Sequence, residues 1–549
     1  MRQAVTLLSF AMLVASTATE AASQKSTRPA GASPQVTPAS VAPAVPSVAA
    51  AQAVPAAAPA TLRVDAVRFQ GNRRYDEQTL QALVAPALGK DMSLEDLRGL
   101  AEQVRLHYDA NGYKLARVLL PQQDFSPGKP VTFVVLEGWL GRVSVTGSER
   151  FEAARVNRFL AEADVREGEA FTFSDLELGL TRLNRLSGIK AASVLKPGTA
   201  QGATDVQVTL TEQPRINAAV EVNNQGSRST GQTRLMPSLE ATNLTGRGDA
   251  LAFIGLASLE GPGTYFGRLG YVTPVNARGM KAGTYYAQGN VAVGGALSAL
   301  DVRGDNQGYG VGVQQDIIRK ANDVVVLEAW LESLDLTQRI LGTVTSNDRI
   351  RKLRVGANRD MADDSGRTLY AVNLHQGLGA TLGAMPNDST LSSRAIGGAD
   401  NQFTKLTVDW ARIQRINERM NLQARFSAQH AFQGVVTSEQ FAVGGYGSVV
   451  GQAPSAHLGD SGFSTGLEGR YAILPDQDAY QLAARLDHGR VYVRDTFIGQ
   501  ASSTSLSGMS LGVIATPHPK VFLRADYARP IGRATDDSHF IYFQARYSY

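Results

Sequence analysis

The sequence predicts a mainly β fold, in which a 16-stranded transmembrane β-barrel follows two small α+β domains. After residue 214, about sixteen short segments alternate apolar and polar residues, as strands between lipid and water do. The last segment, 541–549, carries Ile541, Phe543, Ala545, Tyr547 and Tyr549 on one face, and Tyr542, Gln544, Arg546 and Ser548 on the other. Before residue 214, the order strand, helix, helix, strand, strand occurs twice.

Composition narrows the class of protein. Of the 549 residues 43% are hydrophobic, yet after the N-terminus no run of about 18 apolar residues offers a membrane-spanning helix. The net charge of +4 is small, and no basic cluster with interleaved aromatic residues indicates binding to nucleic acid. The chain has no cysteine, which excludes disulfides, thiolate metal sites and a cysteine nucleophile.

The N-terminal segments are expected to precede the folded domains. Residues 1–22, a mostly apolar run followed by small residues, predict a secretory signal peptide that is too short to span a membrane. Residues 23–61 are rich in Ala, Pro, Ser and Val, and they predict an extended, disordered linker. A pore-plugging helix here is the alternative, which the prolines disfavour.

Residues 62–138 and 139–213 are expected to form two tandem copies of one α+β domain. The elements of the first copy are strand 62–69, helices 76–88 and 93–111, and strands 115–120 and 131–137. Those of the second are strand 140–146, helices 152–163 and 173–186, and strands 189–196 and 205–211. The pattern predicts a buried face of helix 93–111 made of Leu94, Leu97, Leu100, Ala101, Val104 and Tyr108. Ser93 and Asp96 predict its N-terminal cap.

Residues 214–549 are expected to form the barrel. The charged residues that fall on the polar faces of its strands are Lys405, Asp409, Arg425, Glu468, Arg470, Arg485, Asp487, Arg524 and Asp526. This sorting has a physical reason, because a lipid-facing Arg or Lys at mid-bilayer costs about 2–4 kcal/mol. The apolar faces are therefore expected to contact outer-membrane lipid and lipopolysaccharide. A soluble β-sandwich also alternates, but a run of this length would need several sandwiches.

No catalytic, metal or cofactor site is expected. The sequence lacks the phosphate-binding G-x-x-x-x-G-K-[ST] loop, the H-E-x-x-H pair and the G-x-S-x-G elbow. The seven histidines are scattered along the chain and predict surface or strand positions rather than metal ligands.

The most informative segment is 441–462, between the predicted eleventh and twelfth strands. It is too long for a hairpin turn and too apolar and glycine-rich for an exposed loop. We therefore expect it to fold back into the barrel lumen as a gate, where its backbone polar groups still meet partners. The residues expected to form this loop are Gly444, Gly445, Val449, Val450, Gly451, Gln452, Gly459 and Asp460. A long extracellular loop is the alternative.

Two segments of the first α+β domain carry informative motifs: 111–124, which ends Leu-Pro-Gln-Gln-Asp, and 134–138, Val-Val-Leu-Glu-Gly. They resemble the first polypeptide-transport-associated (POTRA) domain of the two-partner secretion transporters, the TpsB proteins typified by the haemolysin and filamentous haemagglutinin transporters. The other similar segments are 183–186 and 195–198 in the second α+β domain, and 223–226, 230–231 and 243–249 at the start of the barrel. Each motif alone is weak evidence for the family, but together the motifs are specific, and the resemblance covers residues 62–549.

The resemblance implies a sixteen-stranded barrel, two POTRA domains and a fold-back loop. It also implies a Val-Arg-Gly-aromatic tetrad in that loop, whose arginine pairs with an aspartate on the lumen face of a later strand. The tetrad position here reads Val-Val-Gly-Gln over residues 449–452, so the arginine and the aromatic residue are both missing. We expect the loop to enter the lumen nonetheless, held by packing at glycines.

The expected lumen wall opposite this loop consists of Asp487, Gly489, Arg485, Arg470 and Glu468. Asp487 is the aspartate that the resemblance implies. A buried carboxylate without a cation is costly, so Asp487 needs another partner. Arg485 on the same face, or Arg470 and Arg524 on nearby strands, are the candidates.

The resemblance implies a non-enzymatic translocator in the outer membrane, with its POTRA domains in the periplasm. It implies that an unfolded partner, a secreted TpsA-like β-helical adhesin, haemolysin or toxin, is recognised there and exported through the pore without nucleotide hydrolysis. The client is expected to add a strand to segment 115–120 or 189–196, with Leu115, Val118, Leu120, Ile189, Val194 and Leu195 as the docking residues. The alternative function is an outer-membrane protein assembly factor of the same superfamily.

Overall fold

The structure is a computed structural model that describes residues 37–38 and 61–549, except residues 127, 475–476, 495, 497–499, 533 and 536. The predicted signal peptide, 1–22, lies outside the described residues, as does the predicted linker, 23–61, apart from residues 37, 38 and 61. Thr37–Pro38 form the short strand β1. The described chain separates into one unit within residues 32–213 and a second formed by residues 214–549.

The first α+β repeat contains a three-stranded sheet and two helices. Its elements are β2 (Leu62–Val64), β3 (Val67–Gln70), α1 (Glu77–Val84), β4 (Lys90–Met92), α2 (Leu94–Ala110), β5 (Arg117–Leu119) and β6 (Val131–Leu136). β3 pairs parallel with β6, and β6 pairs antiparallel with β5, so β5 is an edge strand. β4, which the sequence did not predict, pairs with β2.

The second repeat reproduces the arrangement of the first. Its elements are β7 (Trp139–Thr146), α3 (Ala153–Ala161), α4 (Phe173–Asn184), β8 (Ile189–Pro197) and β9 (Ala203–Glu212). β7 pairs parallel with β9, and β9 pairs antiparallel with β8. β5 and β8 therefore occupy the same place in the two sheets.

Capping residues determine where α2 begins. Ser93 accepts a hydrogen bond from the backbone of Asp96, and Asp96 accepts one from the backbone of Ser93, which confirms the predicted cap. The predicted buried face is confirmed from Leu97 to Tyr108, but Leu94 is 48% exposed. Periodicity specifies the face of a helix, not the point along it where packing ends. Among the described residues, no helix combines the length and the hydropathy that a membrane span requires.

Glu137, in the Val-Val-Leu-Glu-Gly segment, is a buried hydrogen-bond acceptor. Glu137 accepts hydrogen bonds from the backbone nitrogens of Arg73 (2.8 Å) and Arg74 (2.7 Å) and from the Tyr108 hydroxyl (2.9 Å). Burial and the hydrogen bond to Glu137 raise the pKa of Tyr108 above its ordinary value. Glu137 thus joins the turn after β3, helix α2 and the end of β6.

Residues 214–549 form a closed barrel of sixteen antiparallel strands. Its strands are β10 (Ile216–Asn223), β11 (Arg234–Thr242), β12 (Ala250–Ser258), β13 (Tyr265–Pro274), β14 (Met280–Ala292), β15 (Arg303–Lys320), β16 (Asp323–Ile340), β17 (Thr343–Asp363), β18 (Gly366–Gly377), β19 (Thr404–Arg415), β20 (Met420–Ala431), β23 (Ser461–Leu474), β24 (Gln477–Tyr492), β25 (Ser503–His518), β26 (Val521–Ile531) and β27 (Phe540–Ser548). Between β20 and β23, β21 (Phe441–Val443) and β22 (His457–Gly459) form a separate pair. β10 pairs with β27 and closes the barrel.

The strands separate an apolar outer face from a polar inner face, as predicted. In β27, Ile541 is 66% and Phe543 40% exposed, whereas Tyr542 between them is 4% exposed. In β24, Leu486 is exposed while its neighbours Arg485 and Asp487 are buried. In these strands the charged pair lies inside the barrel and the apolar side chains face outward, where lipid would cover them.

Candidate functional site

The predicted fold-back segment begins as a hairpin inside the barrel. β21 pairs with β22, with Phe441 opposite Gly459, and an additional bridge joins Gly445 to Val449. We call residues 432–460, the whole connection from β20 to β23, the fold-back loop, and residues 444–451 its tip. A 3-10 turn, Thr437–Glu439, precedes the hairpin.

Apolar side chains of the tip pack against the inward face of the barrel strands. Val449 packs with Val491 of β24, while Val450 packs with Ala528 of β26 and Tyr542 of β27. Val449 and Val450 are both 0% exposed. The tip therefore lies in the lumen against the wall.

Asp487 is the polar centre of this contact. It accepts hydrogen bonds from Arg425 (3.0 Å), from Arg485 (3.0 Å) and from the backbone nitrogen of Val450 (3.0 Å). The side chain of Asp487 is 0% exposed, and a buried carboxylate needs a counter-charge. The two guanidinium groups supply it. Arg485 was a predicted partner, whereas Arg425 as a partner was missed.

A glycine allows Arg425 to reach Asp487 across an intervening strand. Gly466 of β23 pairs with Arg425 on one side and with Asp487 on the other. A Cβ at Gly466 would lie 2.4 Å from Asp487 Oδ1 and 2.5 Å from Arg425 Nε. Any larger residue would therefore occupy the space through which the ion pair forms.

Two predicted partners of Asp487 bind elsewhere. Arg470 pairs with Glu468 at 2.5 Å, and Arg524 pairs with Glu468 at 2.8 Å and with Asp526 at 2.7 Å. The prediction that Arg470 or Arg524 could replace the missing arginine is wrong, because closer carboxylates already hold both. All of these charged groups face the lumen, as expected.

Tyr446 supplies an aromatic side chain, which the tetrad position itself lacks. Its hydroxyl donates to Asp526 (3.1 Å), and its ring packs edge-on against Tyr542, with centroids 5.0 Å apart. The guanidinium groups of Arg485 and Arg524 lie 5.2 and 5.6 Å from the ring centroid. The residue lies four positions before Val450, so matching the tetrad position by position could not find it.

Other predicted loop residues either shape the loop or contact the wall. Gly444, Gly445 and Gly451 have positive φ angles, which glycine adopts without strain. The Gln452 side chain donates to a backbone carbonyl of β25 (2.9 Å). A Cβ at Gly489 would lie 3.1 Å from a methyl group of Val449, so the wall is closely covered at this point.

Buried ion pairs hold the two ends of the fold-back loop. Glu439, before the hairpin, pairs with Lys352 of β17 and Lys405 of β19, each at 2.7 Å. Asp460, after the hairpin, is 0% exposed and pairs with Arg394 of the β18–β19 connection. The ends are thus fixed by side-chain charge, whereas the tip binds Asp487 through a backbone group.

The predicted client-docking strands differ in what covers their outer edges. β5 is shorter than expected, so Leu115 and Leu120 lie outside it, while Val118 lies within it. Leu119 of β5 is 44% exposed. In β8, Ile189 and Leu195 are buried and Val194 is 37% exposed. The outer edge of β8 already pairs with β1, with Thr37 opposite Val194.

The chemistry that this site supports is reversible binding. In the part of the chain that the structure describes, no group of three or more His, Cys, Asp or Glu residues is arranged to hold a metal ion. The tip is held by hydrogen bonds and apolar packing, both of which can break and re-form.

Two family models match the sequence. The model described as "Haemolysin secretion/activation protein ShlB/FhaC/HecB" matches residues 202–515. The model described as "POTRA domain, ShlB-type" matches residues 62–138.

Curated relatives and solved structures agree with these matches. The chain is 22% identical over 478 residues to the heme/hemopexin transporter protein HuxB of Haemophilus influenzae strain 86-028NP, covering 85% of this chain and 83% of HuxB. It is 23% identical over 464 residues to the outer membrane transporter CdiB of Dickeya dadantii, covering 81% and 79%. Its fold is similar to the structures of CdiB from Escherichia coli (TM-score 0.74, 19% identity, 98% of both chains) and from Acinetobacter baumannii (0.70, 16%, 99% of both).

Proposed function

The chain belongs to the ShlB/FhaC/HecB family of outer-membrane transporters, and we propose that it exports an unfolded partner exoprotein through its barrel. Residues 62–138 match a POTRA domain, a domain that is periplasmic in this family, and we assign residues 139–213 as a second. The barrel, residues 214–549, would be the pore, and its outward apolar faces would contact lipid and lipopolysaccharide. The signal peptide, 1–22, would direct the chain to the periplasm.

The observation that carries this proposal is the tip of the fold-back loop lying in the lumen. Val449 and Val450 are fully covered by the inner wall, so a polypeptide can use that part of the lumen only if the tip withdraws. Non-covalent contacts hold the tip, and ion pairs at Glu439 and Asp460 hold the two ends of the fold-back loop. The loop would act as a gate whose tip moves while its ends stay fixed.

Recognition would occur by strand addition in the periplasm. β5 is an edge strand, and its outer side offers backbone groups to an extended segment of the client. The equivalent edge of β8 is paired with β1, so a client would have to displace Thr37 and Pro38 there. This difference favours β5 as the first docking edge.

Export would not consume nucleotide. The sequence has no phosphate-binding loop, and the client's own folding outside the cell would make its return unfavourable. No catalytic residues are needed for this cycle.

An assembly factor for other outer-membrane proteins is the competing function. The fold is also similar to BamA from Haemophilus ducreyi lacking POTRA domains 1–3 (TM-score 0.53, 13% identity, 89% of this chain and 100% of that chain), which fits either function. The relatives HuxB and CdiB are both named as transporters, and this favours secretion.

Deleting the gene tests the proposed function. We expect one large protein to disappear from the cell surface and medium, and to return when the full chain is expressed again. Other outer-membrane barrel proteins should keep their abundance in the same strain. General loss of those barrels with unchanged secretion would contradict export and favour the assembly function.

A photo-crosslinking residue at Leu119 tests the docking edge. Leu119 lies on β5 and is 44% exposed, whereas Leu106 lies on helix α2 of the same repeat and is 50% exposed. We expect illumination to link position 119, but not position 106, to the exported protein. Equal yields at both positions would contradict strand addition at β5.

A further inference from the structure

The wall holds the tip largely through the main chain of the loop. Arg425 donates to the carbonyl oxygens of Gly447 (3.2 Å) and Ser448 (3.0 Å). Arg485 donates to the Tyr446 carbonyl oxygen (2.8 Å). Together with the Val450 nitrogen on Asp487, three carbonyl groups and one N–H group of the tip are bound without using a loop side chain.

Glycines beside Asp487 leave no side chains on the wall there, so a backbone can approach it. Strand pairing places Gly466, Asp487 and Gly508 side by side across β23, β24 and β25. A Cβ at Gly508 would lie 1.7 Å from the Val450 carbonyl oxygen, so the tip's backbone already occupies the space that a side chain would fill. The site accommodates main chain lying directly on the wall.

Withdrawal of the tip would leave Arg425, Arg485 and Asp487 with only one another as partners. Asp487 is 0% and Arg485 4% exposed at the side chain when the tip is bound. Two guanidinium groups would then lack their carbonyl acceptors, and Asp487 would lack its backbone donor. Unpaired polar groups in such a site favour any ligand that restores the same hydrogen bonds.

We propose that Arg425, Arg485 and Asp487 form a main-chain binding site that the translocating polypeptide occupies when the tip leaves it. The ligand class is an extended polypeptide backbone, bound with little dependence on side-chain sequence. This inference rests on the proposed export function and identifies how the pore contacts its substrate. The loop tip and the client would compete for one site.

The hydrogen-bonding groups of the site favour a peptide backbone over an anion. Two guanidinium groups and one carboxylate leave a net positive charge, but Asp487 also accepts an N–H group, which a carboxylate or phosphate ligand cannot donate. A peptide backbone supplies carbonyl acceptors for the arginines and an N–H donor for Asp487 at the same time. Only a ligand with both kinds of group satisfies the whole site.

The test must separate binding of the client from holding of the loop. Val443 and His457 are opposite each other in the hairpin, so residues 444–456 can be replaced by an Asn-Gly turn that removes the tip. In that background, with the rest of the chain intact, the arginines have no loop to hold. Any effect of replacing the arginines then reports on client binding alone.

The probe is an uncharged, unstructured peptide of Gly, Ser and Asn, added to the tip-deleted protein in a planar lipid bilayer. We expect it to block the current, and the combined variant Arg425→Gln and Arg485→Gln to shorten each blockade at least about tenfold, because hydrogen bonds to charged groups are strong. Arg490→Gln is the matched control, since Arg490 lies on β24 with Arg485 but is exposed on the opposite face. Its blockades should keep their duration.

Three results would overturn the proposal: unchanged blockades in the double glutamine variant, an equal change in the Arg490→Gln control, or an effect on a polyglutamate peptide but not on the neutral one. Correct folding is checked by the shift in gel migration on heating. If the glutamine variant fails this check, Arg425→Lys and Arg485→Lys keep the charge but lose the planar fork, and blockades must still shorten. The assay needs no partner exoprotein, so its failure and a failure of export in cells are separate results.

Discussion

Replacing Asp487 with alanine is expected to release the tip of the fold-back loop from the wall. The change removes the acceptor of the Val450 nitrogen and leaves Arg425 and Arg485 facing each other without a carboxylate. Removing one partner of a buried charge pair costs about 3–5 kcal/mol. Because the tip can leave while the barrel strands stay paired, we expect this cost to appear mainly as loss of the bound tip.

Cysteine labelling measures this release directly. The chain has no cysteine, so a single Val449→Cys change reports on the tip without background. Val449 is 0% exposed, and its thiol should react with maleimide about 100-fold faster when Asp487→Ala is also present. Asp409→Ala is the control, because Asp409 accepts from Ser427 on the neighbouring strand. Equal labelling rates in the two variants would contradict the role of Asp487.

Gly508→Ala is expected to displace the tip by steric contact while leaving every charge in place. Its Cβ would lie 1.7 Å from the Val450 carbonyl oxygen, a distance that no native contact allows. Overpacking of a fitted contact costs about 1–3 kcal/mol, so the tip must shift or leave. We expect higher single-channel conductance in a planar bilayer, because the tip no longer fills its part of the lumen.

Gly469→Ala is the matched control for this change. Gly469 is also a strand glycine, but a Cβ there would meet nothing within 4 Å. Its conductance should equal that of the unmodified protein. Since Asp487→Ala and Gly508→Ala act on the same tip, their combined effect should be smaller than the sum of the two. Identical conductance of the Gly508→Ala and Gly469→Ala proteins would show that the tip does not rest on this wall.

The barrel could be predicted from the sequence because lipid imposes a strict rule on its strands. Alternation such as that from Ile541 to Tyr547 is typical of a membrane barrel when it recurs over so many segments, since charges on the lipid face are costly. Short elements were harder to predict. β4 has three residues and no periodicity to detect, and Leu94 follows the pattern of its helix yet is exposed. The local sequence specifies which face of an element is buried, but not how far along the element the packing extends.

The site could be predicted only in part. Asp487 and Arg485 share one strand, so their shared face follows from alternation. Arg425 lies two strands away, and its contact depends on register and on the missing side chain at Gly466. Glu468 likewise holds Arg524 of β26 across the intervening strands β24 and β25, whereas Arg470 lies two residues from Glu468 on β23 itself. The lumen-facing side of a strand can be read from one sequence, but pairing across strands requires the three-dimensional register.

A reversible disulfide between the tip and the wall tests the central claim, that the tip must leave its site for export. A Cβ at Gly489 would lie 3.1 Å from Val449 Cγ2, so Val449→Cys with Gly489→Cys places two thiols within reach of a bond. We predict that the oxidised protein stops exporting its partner, that a reducing agent restores export, and that each single variant exports in both conditions. Export at the unmodified rate with the disulfide formed in every molecule would contradict the account.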